Sequence, residues 1–255
     1  MDVVETLRTG FDRTASRTGA ALILAAFVAQ LASTVALHSQ PPEATAPIRE
    51  EFPALAPPAE SPLAFPLSAL GAAALSFAAM VAAVAVFVVG FRALSDDGIP
   101  SPRTVTRNVG WATLHGIAGY LLLLALTSVG IVLFVLPGVF VLVTFAFFVG
   151  FVALEDDGVV SAYRESWALT SGRRVGVSLF FGVLLVVVLL GNTLAGIPVT
   201  LLFGVSEMLG WIANVAVSAV TMVYTAAVLA VGFVQLRDGD EDDDEFSDID
   251  DELLP

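Results

Sequence analysis

Six long apolar runs divide the chain, at 20–37, 69–91, 116–136, 138–154, 175–194 and 209–236, and none holds an Asp, Glu, Lys or Arg. At about 1.5 Å per residue, each crosses or nearly crosses a hydrocarbon core ~30 Å thick. The shortest run, 138–154, is rich enough in Val, Leu and Phe to offset its small mismatch with the bilayer. The runs are continuous, whereas barrel strands alternate apolar with polar residues. A helix satisfies its backbone N–H and C=O groups within the segment, as lipid demands. The expected fold is all-α: a polytopic membrane bundle of about six transmembrane helices.

Charge placement adds an orientation. Arg8, Arg13 and Arg17 precede the first run; Arg92, Arg103 and Arg107 follow the second; Arg164, Arg173 and Arg174 follow the fourth; Arg237 follows the sixth. With six crossings all of these lie on one side, and only Arg49 lies on the other. Arginine excess marks the cytoplasmic side, so both termini are expected in the cytoplasm of a multi-pass cell-membrane protein. A cleaved signal peptide is the competing role for 20–37, but its apolar stretch exceeds the usual h-region of roughly 7–15 residues. The expected domains are a membrane domain over 1–237 and an acidic, disordered cytoplasmic tail over 238–255. The external loop 38–67 is rich in proline and is expected to be extended.

The chain also repeats. Phe91-Arg-Ala-Leu-Ser-Asp-Asp-Gly98 matches Phe151-Val-Ala-Leu-Glu-Asp-Asp-Gly158, and Phe233-Val-Gln-Leu-Arg-Asp-Gly239 is a looser third copy. All three sit where an even-numbered run ends. Arg8 and Phe11 share the spacing of Arg164 and Trp167. Three units follow, each an amphipathic lead-in and a helical hairpin. In the third lead-in, Asp157 is the expected N-cap of a surface helix and Gly172 its C′ residue. Val159, Val160, Tyr163 and Trp167 share one arc of that helix, expected at headgroup depth, with Ser161, Arg164, Glu165 and Ser171 opposite. Ser101-Pro102 is the matching helix start in the second unit.

Composition narrows the function classes. Only 14% of residues are charged, against roughly 25% in soluble domains. The absence of cysteine excludes disulfides, thiol catalysis and thiolate metal sites. A net charge of −14 argues against nucleic acid as a partner. Membrane lipids are the expected partners, and the carboxylate-rich tail, with Phe246, Ile249, Leu253 and Leu254, is a candidate docking segment for a protein. Every basic residue is arginine, and this acid-rich, lysine-free balance resembles that of extreme halophiles.

No catalytic or cofactor constellation is expected. His38 and His115 fall at opposite ends of the bundle and cannot share a metal. A phosphate loop needs a lysine, which the chain lacks. The intramembrane polar candidates are Gln30, Asn192 and Asn214, read first as interhelical hydrogen-bond groups. Glu207 is the sole external carboxylate after the fourth run. Pro198, between Gly196 and Gly204, implies either a kinked fifth helix or a re-entrant piece. The alanines of the second run (Ala72, Ala73, Ala74, Ala78, Ala79, Ala82, Ala83 and Ala85) imply close packing, at the bundle centre or in an oligomer.

One stretch carries a family resemblance. Pro137-Gly138 leads into Asp156-Asp157-Gly158, then Ala162, Arg164, Ser166, Trp167, Leu169 and Gly172. Over residues 130–190 this resembles a family of uncharacterised six-helix membrane proteins of haloarchaea. It is also similar to the membrane domain attached to some glycerophosphoryl diester phosphodiesterases. The resemblance implies a fold and a membrane location, not a reaction, because the phosphodiesterase catalytic domain is absent from this sequence. Three functions remain open at this level: a non-enzymatic scaffold or accessory protein, a small permease and, with the fewest candidate residues, an intramembrane enzyme.

Overall fold

A computed structural model describes residues 2–51, 61–95, 105–133 and 135–253. In chain order the helices are α1 (Val3–Thr14), α2 (Arg17–His38), α3 (Pro42–Glu51), α4 (Ala69–Ala93), α5 (Val109–Leu133), α6 (Val135–Phe145), α7 (Phe148–Leu154), α8 (Val159–Thr170), α9 (Arg174–Val205) and α10 (Glu207–Leu253). Six stretches are long and apolar enough to cross a membrane: α2, α4, Val109–Val132 of α5, Pro137–Leu154 across α6 and α7, α9, and Glu207–Gly239 of α10. The chain is thus an all-helical, multi-pass membrane protein. Large apolar side chains such as Leu70, Phe77, Val132 and Val205 are well exposed, which suits lipid as the solvent.

Several boundaries differ from the hydropathy pattern. The fourth span is two helices, broken at Ala146–Phe147. The fifth is one continuous 32-residue helix with Pro198 inside it, so no re-entrant piece forms. Proline removes one backbone bond, but lipid offers the other N–H and C=O groups no alternative partner, so the segment stays helical. A helix of that length measures ~48 Å and must tilt or project beyond a ~30 Å core. The loop expected to be extended contains α3, which tolerates Pro47. α10 runs on to Leu253, past the end of the last apolar run. Ser101-Pro102 lies outside the described residues.

The three units are visible as three helical hairpins: α2 with α4, α5 with α6–α7, and α9 with α10. Their second helices (α4, α7 and α10) touch one another at the centre. The first helix of each hairpin packs on the second helix of the unit before it: α5 on α4, α9 on α6, and α2 back on α10. The lead-ins follow the same rule, with α8 on α7 and α1 on α10. The units therefore close into a ring.

The repeated phenylalanines mark its axis. Phe91, Phe151 and Phe233 converge, with Phe233 4.9 Å from Phe151 (edge to face) and 6.1 Å from Phe91. Phe147 adds a further ring 6.2 Å from Phe233. A Cβ on Gly150 would meet the Phe233 ring at 2.5 Å, so only glycine lets α7 and α10 approach this closely. The hairpin joining the third and fourth spans has the same need: a Cβ on Gly130 would lie 2.8 Å from the Gly138 Cα.

Phe233→Ala should therefore cost about 3–5 kcal/mol, the range for truncating a fully buried aromatic. Phe77→Ala, on a lipid-exposed side chain, should cost far less. Unfolding titrations in mixed micelles would show the difference, and equal losses would contradict the phenylalanine centre.

Candidate functional site

The arginine-bearing end of the bundle is built on Asp156. It takes a left-handed backbone (φ 58°) after α7 ends, which aspartate tolerates better than most residues. Its carboxylate receives Arg92 Nη2 at 2.7 Å and Arg107 Nη2 at 2.9 Å. Asn108, itself at φ 46°, donates Nδ2 to the same group at 3.3 Å. Arg92 is buried. Its Nε donates to the Ala153 carbonyl, and its Nη1 donates to the carbonyls of Arg107 and, at 3.4 Å, Val105. One buried guanidinium thus ties the first copy of the repeat to the second and to the chain entering α5. Arg237 in the third copy pairs with Glu155 at 3.5 Å, but this pair is exposed and contributes little.

The sequence placed Asp157 as the cap of α8. Instead Gly158 is the N-cap residue and no side chain caps this end. The acidic turn serves the Arg92 cluster, and the Asp157 N–H goes back to the Phe151 carbonyl at 3.3 Å. Gly172 does lie just past the end of α8, at φ 77°, as its C′ assignment requires.

α8 packs on a face that leaves Val160 and Trp167 of the expected headgroup arc outside the bundle but takes in Tyr163. It buries Ala162, Tyr163, Ser166, Leu169 and Thr170, while Val160 is 75% exposed and Trp167 44%. Arg164 points outward. In lipid an exposed valine carries no penalty, so close approach through small residues decides which face turns inward. The Ser166 hydroxyl donates to the Thr144 carbonyl at 3.0 Å and the Thr170 hydroxyl at 3.3 Å, covering the end of α6 where the span breaks. The Tyr163 hydroxyl donates to the Gly119 carbonyl at 2.7 Å, and burial pushes its pKa up to about 12. The alignment that pairs Arg8 with Arg164 and Phe11 with Trp167 sets Thr6, Gly10 and Thr14 against Ala162, Ser166 and Thr170. That stripe of α1 is likewise buried, against α10, with Thr6 bonded to Gln235 at 2.8 Å.

The intramembrane polar candidates do not converge. Asn192 Nδ2 donates to the Val188 carbonyl at 2.8 Å, and its Oδ1 receives Thr221 at 3.4 Å. Gln30 reaches Met222 Sδ at 3.7 Å, so α9 and α2 hold α10 at adjacent residues. Asn214 and Glu207 are exposed and join neither contact. A groove of about 460 Å³ runs between α1, α9 and α10 past Asn192, with Gly191, Ala195 and Val217 in its wall and Phe11 at one end. A second cavity of about 440 Å³ lies between α4, α5, α7 and α10, walled by side chains such as Phe87, Tyr120 and Phe148. The exposed Ala73, Ala74, Ala78 and Ala82 face away from the bundle centre, where only Ala72 and Ala79 of that set are buried.

The two histidines stay apart. The His115 ring lies tilted by 40° against Trp111, with centroids 3.9 Å apart, and a ring carbon of His115 lies 3.7 Å from where a Gly158 Cβ would sit. His38, at the other end, is 2.7 Å from the Ser61 hydroxyl through Nδ1 and edge-on to Trp211 at 4.4 Å. No sequence pattern points to that pairing, because Ser61 lies in the long loop. The Ser61 oxygen also receives the Leu63 N–H at 3.2 Å, which suits a loop clasp.

Residues 1–236 match a family described as a domain of unknown function, DUF7847. The chain belongs to that family. No curated protein and no solved structure matches it. In this DUF7847 member the match takes in all three units and stops where the carboxylate-rich end of α10 begins.

Asp156→Ala should leave Arg92 buried without a counter-charge, at a cost of about 3 kcal/mol or more. Glu155→Ala, on the exposed pair, should shift stability by well under 1 kcal/mol. Chemical denaturation of the two purified variants would compare them directly, and an Asp156→Ala protein as stable as wild type would dismiss the clamp.

Proposed function

We propose that this protein is a non-enzymatic membrane scaffold or accessory protein, acting through lipid and protein contacts. The supporting observation is the use made of polar groups within the spans. Asn192, Thr221 and Gln30 bind neighbouring helices, and the walls of the two cavities are mostly apolar, with Thr14, Asn192 and Thr221 the polar residues of the first. Such spaces suit acyl chains or an apolar helix better than a polar solute. The resemblance read in residues 130–190 to the membrane domain of some phosphodiesterases would fit an accessory role. Lysine-free composition supports a halophilic archaeal source.

A permease is the second reading, favoured by Asn192 in the groove wall six residues before Pro198. The two functions separate cleanly in reconstituted vesicles. A scaffold should show no substrate-dependent flux over a broad solute panel, yet should retain lipid through gentle-detergent purification. Flux of any solute that Asn192→Leu abolishes would replace the scaffold with a transporter.

The arginine pattern supports a cell-membrane location with both termini in the cytoplasm. The chain has no cysteine, so single cysteines report topology without background. Glu50→Cys should react with an impermeant maleimide in intact cells, and Ser161→Cys only after lysis. The opposite result would invert the orientation.

A further inference from the structure

We propose that Arg174 anchors a binding site for the phosphate of an anionic membrane lipid, a proposal that rests on the lipid-contact function above. Arg174 is the first residue of α9. Its Cζ lies 4.5 Å over the Trp167 ring and 4.9 Å over the Phe140 ring. Those two rings stand at 75° with centroids 6.0 Å apart, so the guanidinium sits in a corner between nearly perpendicular walls. Cation–π contact holds the flat faces of the group and leaves N–H donors on its edge. Among the described residues Arg174 has no carboxylate partner, and its buried Nε has no acceptor. Its neighbour is used differently: Arg173 donates to the Leu236 and Gly239 carbonyls at 3.2 and 3.3 Å. Those bonds place the corner beside the end of the last apolar run, where headgroups lie if that run spans the bilayer.

The surroundings select a lipid rather than free phosphate. From Arg174 the outer side of α9 continues through Val175 (86% exposed), Leu179, Val186 and Leu190, all exposed. That strip offers acyl chains a path along the helix, directly below a fixed phosphate donor. Trp167 and Phe140 are themselves partly exposed and would border the glycerol region. A guanidinium held in one orientation can give a phosphate two parallel N–H bonds, and it loses little side-chain entropy in doing so.

The test uses the full-length protein in nanodiscs containing equal phosphatidylglycerol and a phosphate-free neutral glycolipid, read by native mass spectrometry of retained lipid. Wild type should favour phosphatidylglycerol about tenfold, the scale of one charge-assisted contact. Arg174→Gln should abolish the preference. Arg174→Lys should keep part of it, since the charge remains but the fork is lost, and this variant guards against a folding defect in the first. Arg8→Gln, on an exposed lead-in arginine, should leave the preference unchanged. Excess inorganic phosphate should not displace the lipid. Displacement by inorganic phosphate alone, or an Arg174→Gln protein with wild-type preference, overturns the site. If wild type retains both lipids equally, this site fails while the lipid-contact function stands. If it retains neither, both fall.

Discussion

A buried guanidinium in an apolar bundle has no water to fall back on, and the arginine-bearing end is arranged around that constraint. Arg92 sits almost at the end of a membrane helix with its charge against Asp156 and its remaining donors on main-chain carbonyls from two other segments. Removing a charge from water costs several kcal/mol, so every donor must find an acceptor. Meeting that requirement brings α4, the exit of α7 and the entry to α5 to one point. It also explains why two non-glycine residues, Asn108 and Asp156, accept a left-handed backbone there. The strain is local, and the carboxylate that causes it neutralises the nearest charge.

Elsewhere lipid changes which contacts matter. Helices in a bilayer gain little from hiding apolar surface, because the surrounding tails are equally apolar. Close approach and hydrogen bonding decide instead. The lead-ins show it: α1 and α8 turn small or hydroxyl-bearing residues inward at corresponding positions and leave Val4, Phe11, Val160 and Trp167 outside. Gly150 against Phe233 and Gly130 against Gly138 are the same device in the hairpins. The repeat therefore conserves contacts rather than side chains, and each unit completes the one before it.

This ring leaves function at its edges. The centre is filled by phenylalanines, whereas the grooves and the clamped Arg174 lie where the units meet lipid. A protein built this way presents fixed surfaces to the bilayer. Those surfaces are where the proposed lipid and partner contacts would form.

The six spans, the all-helical class and the division into three units were legible from the chain alone, because run length and the Asp-Asp-Gly repeat are local properties. Gly172 at a helix end was legible for the same reason: its backbone angle depends on the next turn, not on distant neighbours. What the repeat does was not legible. Asp157 looks like a cap from its spacing, but the fold assigns the acidic turn to Arg92, some sixty residues away. Which residues of α8 turn inward was not legible either, because periodicity measures hydrophobicity, and in lipid hydrophobicity does not choose the buried side. The aromatic corner around Arg174 joins Phe140, Trp167 and Arg174 from three helices, so only tertiary packing could create it. Sequence determined where the chain enters the membrane; the fold decided which polar groups meet there, since those meetings depend on the path between segments far apart in the chain.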